Sequence, residues 1–293
     1  MAITDTETGM KHPSENTWDL VITPRRNLLD IRFREIREYL DLLYLFVKRD
    51  IVIVYKQTIF GPIWYFIQPL LTMFVYIIVF SNIAKIPTDG IPPALFYLAG
   101  IVMWNYFQEC FKQTSDVFYR NSAIFGKIYF PRIIIPLSKV ISGLIQFLIQ
   151  SGLFMLVLAW YLYRGVDIQL GPAIILIPYL VLLMAGLGMG AGLIFSALTA
   201  KYRDLKFLIS FGVQLLMYAT PVIYPMSIIP EKYKAFIIWN PMAHIIEGFK
   251  FAVLDVGEIS YIAMFYTTTV TLIVLAIGIL IFNKTEQTFA DMV

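Results

Sequence analysis

One cysteine, two histidines and no phosphate-binding loop leave this 293-residue chain with little equipment for covalent, metal or nucleotide chemistry. Cys110 alone forms no intrachain disulfide and anchors no thiolate metal site. His12 and His244 lie far apart, and no H-E-x-x-H pattern occurs. The single Gly-Lys pair, Gly126-Lys127, is followed by Ile128, and Asn121 stands where a phosphate loop needs its first glycine. Asp89 and Asp167 are isolated and no D-x-D occurs, so no carboxylate cluster offers itself to a metal-dependent transferase. A net charge of +3 gives no basis for a nucleic-acid partner. The stretch from Met1 to Glu15 is polar and lacks the apolar core of a cleavable signal, so the first spanning segment is expected to serve as an uncleaved one.

Charge is also scarce. Charged residues make up 15% and hydrophobic ones 59%, against about 25% and 45–50% in soluble domains. The apolar residues gather in long runs. A bilayer core needs ~20 consecutive apolar residues per helix, which predicts an all-α integral membrane protein. Six spans are expected: Trp64 to Ala84, Ala94 to Phe118, Ile133 to Tyr163, Pro172 to Ala200, Phe207 to Tyr224 and Ile259 to Phe282. The third would reach ~45 Å at 1.5 Å per residue, so it must tilt, kink near Pro136 or begin outside the hydrocarbon. Seventeen of the 23 lysines and arginines fall in the N-terminal region, after the second and fourth spans, or at the C-terminus. Five fall on the other side, Lys250 among them. The positive-inside bias predicts both termini in the cytoplasm.

Two segments break the pattern. From Phe33 to Tyr55, Ile36, Leu40, Leu43, Val47, Ile51 and Val54 recur at steps of three and four. That spacing predicts an amphipathic helix lying in the membrane interface. Between Pro221 and Gly257, Pro221, Pro225, Pro230 and Pro241 exclude a continuous helix. Phe236 to Trp239 and Ala243 to Leu254 are apolar but too short to span, which predicts an outer re-entrant helical hairpin. The expected organisation is a cytoplasmic tail over 1–32 and an interfacial segment over 33–63. The six-helix unit follows over 64–283, with the hairpin at 225–257, and a cytoplasmic tail covers 284–293.

Within the fourth span, Gly186, Gly188, Gly190 and Gly192 lack a strand-then-helix setting and are read as close helix packing. The second span carries two stripes. Tyr97, Trp104, Phe111 and Phe118 recur every seven residues with Phe107 between them, while Asn105, Glu109, Lys112 and Asp116 cluster on another face. Aromatic rings beside hydrogen-bonding groups suit a path for sugars. A lipid-facing aromatic stripe beside a structural Glu109–Lys112 pair fits the same spacing.

Arg49-Asp50-Ile51, Tyr55-Lys56-Gln57-Thr58, Gly61, Trp64 and Gln68-Pro69 resemble the start of ABC-2 type permeases that export O-antigen, capsule and teichoic-acid polymers. The resemblance continues in order from Val21 to the chain's end: Ala99-Gly100 with Trp104, Phe130-Pro131-Arg132, Pro136-Leu137, Tyr202-Arg203-Asp204, Pro221-Val222-Ile223-Tyr224-Pro225, Asn240-Pro241 and Phe289-Ala290-Asp291. It implies a homodimer in the bacterial inner membrane docked on two copies of a separate ATPase, which binds the ATP and magnesium. This chain would hold no cofactor or metal and perform no catalysis. The implied cargo is a lipid-linked polysaccharide. By the same resemblance, Arg49, Asp50, Tyr55, Lys56 and Gln57 would form the entrance: Tyr55, Lys56 and Gln57 would line it, and Arg49 and Asp50 would either contact the ATPase or order the lipid diphosphate headgroup. Arg120, Phe125, Lys127, Arg132, Tyr202, Arg203 and Asp204 would couple to the ATPase. Pro221, Tyr224, Pro225, Trp239, Asn240 and Pro241 would form the outer gate. The rivals are an ABC-2 permease for small hydrophobic molecules and a membrane-embedded glycosyl- or phosphotransferase.

Overall fold

The structure is a computed structural model that describes residues 37–56, 60–121, 124, 130–168, 171–202, 204–257 and 259–290. Among these residues it is helical, with no strand. Ten helices matter here: α1 (Leu40–Lys56), α2 (Gly61–Ile83), α3 (Pro93–Ser115), α4 (Val117–Arg120), α5 (Ile134–Tyr163), α6 (Pro172–Lys201), α7 (Leu205–Tyr218), α8 (Glu231–Ile238), α9 (Pro241–Leu254) and α10 (Tyr261–Ala290).

Four of them are long and apolar enough to cross a membrane unaided: α2, α5, α6 and the Tyr261–Glu286 stretch of α10. The 14-residue α7 is apolar but short. The 23-residue α3 is long enough but carries the polar stripe. Its first half is buried all round, from Ala94 to Trp104, as suits the central helix of a bundle. The chain is therefore a multi-pass membrane protein built around α3.

Local chemistry explains the helix ends. Pro93 and Pro172 stand at first helical positions, where a missing N–H costs nothing. Asn240 caps α9 by accepting from the Met242 amide at 3.0 Å, with Pro241 opening the helix. Asp255 closes α9 in the left-handed region at φ 54°. Pro136 falls in the first turn of α5, so the 30-residue helix carries no proline in its interior. Pro69, by contrast, lies inside α2, which ends in a π-helical segment, Ile77–Ile83. Such segments accommodate an irregular hydrogen-bond ladder.

Several boundaries differ from the sequence expectation. The second span breaks at Asp116 before the short α4. The fifth ends at Tyr218 rather than near Tyr224, because Thr220 and Pro221 are held by long-range hydrogen bonds described below. The sixth runs to Ala290, eight residues beyond its apolar stretch. In α1, Leu43 and Val47 are buried and Ile51 half-buried as the periodicity requires, but Leu40 faces outward. Ile36 and the side chain of Val54 lie outside the described residues.

The glycines of α6 pack two helices at once. A Cβ at Gly188 would lie 2.8 Å from the Cys110 Cβ, and one at Gly192 would strike Thr114 Oγ1 and the Phe111 carbonyl, both on α3. One at Gly190 would lie 2.7 Å from the Leu275 Cα on α10. Alternate glycines thus admit opposite neighbours, the close approach that helices use in lipid. A second core joins α1, α4, α5, α6 and α10 at the bundle's basic end, where Phe118 stacks on Phe282 at 4.8 Å. Phe207, Leu208, Phe211 and Leu215 of α7 remain exposed. Apolar surface of that extent belongs against lipid or protein.

Candidate functional site

The two stripes of α3 have different surroundings. Tyr97, Trp104, Phe107, Phe111 and Phe118 are each at most 6% exposed and pack inside the protein. Trp104 lies 5.3 Å from Phe107, which stacks on Phe111 at 5.9 Å. The aromatic stripe therefore neither lines an open path nor faces lipid in this structure. Its periodicity marks a core face, because α2, α5, α6 and α9 pack around the central helix. Two polar atoms of the stripe, Tyr97 Oη and Trp104 Nε1, are buried with no hydrogen-bond partner among the described residues.

The polar stripe is half-buried, and its partners are two amides and a guanidinium. Asn105 donates to Gln150 Oε1 on α5 at 3.2 Å. Glu109 accepts from Gln113 Nε2 at 2.9 Å, and its charge also acts on Lys112 one turn along. Asp116 pairs with Arg120 at 3.4 Å. Toward the basic end, Lys139 on α5 meets Asp50 on α1 at 2.7 Å, and Arg49 holds the other Asp50 oxygen at 2.9 Å. This triad fastens α1 to α5 through half-buried charges, where pairing counts for more than at a free surface. Between these groups lies a cleft of about 230 Å³ walled by Asp50, Glu109, Gln113, Arg120, Lys139 and Gln146, among others. It unites an expected entrance residue, Asp50, with the polar stripe.

The coupling residues divide. Tyr202 and Asp204 are exposed at the turn between α6 and α7, and Arg120 is about half exposed. Arg132 is spent inside the protein, donating to the Glu286 carbonyl at 2.9 Å with its side chain 15% exposed. Phe125, Lys127 and Arg203 lie outside the described residues, as do Gln57 and the side chain of Tyr55; Lys56 is exposed.

At the opposite end, α8 and α9 form a helical hairpin closed at Trp239–Asn240. Asn240 donates to the Ala219 carbonyl at 3.2 Å and to Thr220 Oγ1 at 2.9 Å, tying the hairpin to the end of α7. Pro221 and Pro225 are buried; Tyr224 donates to the Tyr218 carbonyl at 3.1 Å. Gly100 of α3 admits the same turn, since a Cβ there would lie 2.9 Å from the Val222 carbonyl. Ser227 donates to Asp89 at 2.8 Å and joins the hairpin to the α2–α3 loop. Trp239 is 74% exposed; Pro241 opens α9 and is half-buried.

The charge count places Lys250 on the outer side, with no partner named for it. The structure buries its side chain to 1%. Its ammonium donates to the Pro221 carbonyl at 2.6 Å, lies 3.5 Å from Glu247 Oε1 and sits 3.7 Å above the Phe96 ring. One cation thus joins α9, the 221–225 turn and the start of α3. The signal was present in the sequence: Met242, Ile246 and Lys250 fall at steps of four on the apolar face of α9.

Among the described residues, no three histidine, cysteine, aspartate or glutamate side chains cluster as a metal site. Residues 41–254 match the family model described as ABC-2 type transporter. The O-antigen export system permease protein RfbA of Klebsiella pneumoniae is 30% identical over 254 residues, covering 86% of this chain and 95% of that protein. The polysialic acid transport protein KpsM of Escherichia coli is 23% identical over 78% of this chain and 86% of its own length. The inner membrane transport permease YadH of Escherichia coli is 24% identical over 68% and 79% respectively.

Proposed function

The chain belongs to the ABC-2 type transporter family, and from that premise we propose that it is the transmembrane subunit of an ATP-driven exporter that moves lipid-linked polysaccharide out across the bacterial inner membrane. The observation that carries this reading is the nearly full-length likeness to an O-antigen export permease, joined by a likeness to a polysialic acid transport protein. The chain is a transport subunit and not an enzyme, so ATP and magnesium belong to a separate ATPase. The assembly is a homodimer on two ATPase copies. The exposed apolar face of α7 supports a further protein or lipid neighbour there.

In this reading α3 and α7 complete a six-span domain with both termini in the cytoplasm, α1 lies in the cytoplasmic interface, and α8–α9 re-enter from the outer face. The exposed turn at Tyr202 and Asp204, with the segment holding Phe125 and Lys127, meets the ATPase. The polymer follows the polar side of α3 and not its aromatic side, which is packed. The outer gate is the hairpin with its 221–225 turn. Since Lys250, Asn240 and Gly100 bind these parts to one protomer's core, the gate opens between protomers rather than by hinging within one.

Depletion of this chain in its native cells tests the reading. Lipid-linked polymer should accumulate on the cytoplasmic side and vanish from the surface, and the intact chain should restore export. Unchanged surface polymer with the chain absent would refute it.

A further inference from the structure

The cleft between α1, α3 and α5 contains hydrogen-bonding capacity that the protein does not use. Its cations are all engaged. Lys139 is bound to Asp50 at 2.7 Å, and Arg120 to Asp116 at 3.4 Å and to Gln113 Oε1 at 3.4 Å. Asp50 has both oxygens occupied, by Arg49 and Lys139. Two carboxylates and two cations line the cleft, so it presents no net charge. Such a wall lacks the excess positive charge that favours a phosphate or diphosphate.

Two neutral side chains, Ser142 and Gln146, and one carboxylate oxygen are unspent. Gln113 is fixed between Arg120 and Glu109, donating to Glu109 Oε1 at 2.9 Å. That contact orients Glu109, and its second oxygen has no hydrogen-bond partner among the described residues. The Gln146 amide has none either, and Ser142 Oγ is buried without a partner. Lys139, Ser142 and Gln146 fall at steps of three and four, on one face of α5. Tyr65 adds an aromatic wall. Carboxylate, amide and hydroxyl groups converging beside a ring are the chemistry that binds vicinal hydroxyls and the apolar face of a pyranose. The volume of about 230 Å³ lies below the ~300–1,000 Å³ of drug-sized pockets and fits one ring, not several.

The geometry points to a subsite for a single uncharged, hydroxyl-rich sugar ring in this cleft, with Glu109 and Gln146 as its principal hydrogen-bonding residues. It rests on the reading of the chain as a polysaccharide export subunit and places a sugar, not the lipid's diphosphate, at this point of the entrance.

The test uses the full complex with its ATPase in native membrane vesicles. Ile53 lines the cleft, is 46% exposed and takes no part in the proposed binding, so Ile53→Cys reports access to a water-soluble maleimide. Cys110 is sealed in the core and contributes no background. The probes are D-glucose, D-galactose, D-mannose and inorganic pyrophosphate, each taken to its solubility limit. At least one hexose should slow labelling several-fold while pyrophosphate does not. Adding Glu109→Gln, which keeps shape but removes the charge, should raise the hexose concentration needed by about tenfold. Protection by pyrophosphate, or by no probe, overturns the subsite. ATP-driven polymer export by the same vesicles scores the exporter reading separately. Export without hexose protection defeats the subsite alone, and hexose protection without export defeats only the exporter reading.

Discussion

Replacing Lys250 by methionine should loosen the outer hairpin more than any other single change on that face. Methionine keeps the side chain's length and apolar stem, so packing loss is small. What disappears is the ammonium. Its hydrogen bond to the Pro221 carbonyl, 2.6 Å long and fully desolvated, is of the charge-assisted kind that contributes about 1.5–3 kcal/mol. Its position 3.7 Å over the Phe96 ring adds a cation–π term of about 2 kcal/mol when desolvated. Against these stands the relief from burying a charge, which makes the net smaller than the sum. Removing one partner of a buried pair costs about 3–5 kcal/mol, and the long 3.5 Å separation from Glu247 places this case at the low end. We expect about 3 kcal/mol, a fall of roughly 6–12 °C in melting temperature for a domain of this size. The assay is thermal unfolding of the purified permease in detergent, with Glu247→Gln as the comparison. Glu247→Gln should cost much less, because Lys250 keeps Pro221 and Phe96. A wild-type melting point for Lys250→Met, or a larger loss for Glu247→Gln, would refute the claim that the cation is the clamp.

Other changes probe other parts of the structure. Gly192→Ala should destabilise by about 1–3 kcal/mol through overpacking against Thr114 and the Phe111 carbonyl, whereas Gly212→Ala, with open space around it, should leave the melting point unchanged. A cysteine replacing Trp104 should resist a water-soluble thiol reagent in every nucleotide state, since the indole is 2% exposed; labelling would return the aromatic stripe to the substrate path. Asp50→Asn should cost about 1–3 kcal/mol by orphaning Lys139, between the exposed-pair and buried-pair limits, and a charge swap at 50 and 139 should recover part of it. Measured coupling near zero in that double-mutant cycle would contradict a structural bridge.

Periodicity carried much of this architecture. Leu43 and Val47 face inward as their spacing requires, and the four prolines between 221 and 241 mark the hairpin that follows α7. Spacing tells which residues share a helix face but not what that face meets. The seven-residue aromatic stripe of α3 reads alike for a sugar path, a lipid face and a core, and only the arrangement of α2, α5, α6 and α9 decides. The same limit concealed Arg132, a basic loop residue by sequence but bound to Glu286 154 residues away. The burial of Lys250 was hidden for a related reason. A lysine is assigned to water unless its partner is known, and here the partner is the carbonyl of Pro221, in a turn 29 residues earlier. The π-helical end of α2 has no compositional signature at all. The alternate glycines of α6 were legible as packing, but that they admit α3 on one side and α10 on the other emerged only from the assembled bundle.

The most direct measurement of the central claim is reconstitution of the purified chain in proteoliposomes with its partner ATPase and lipid-linked polysaccharide on the ATPase-facing side. Polymer should reach the opposite side only when the chain, the ATPase and ATP are all present, and the chain alone should hydrolyse no ATP. ATP-dependent movement of small hydrophobic dyes with the polymer left in place, or ATP turnover by the chain by itself, would contradict the claim.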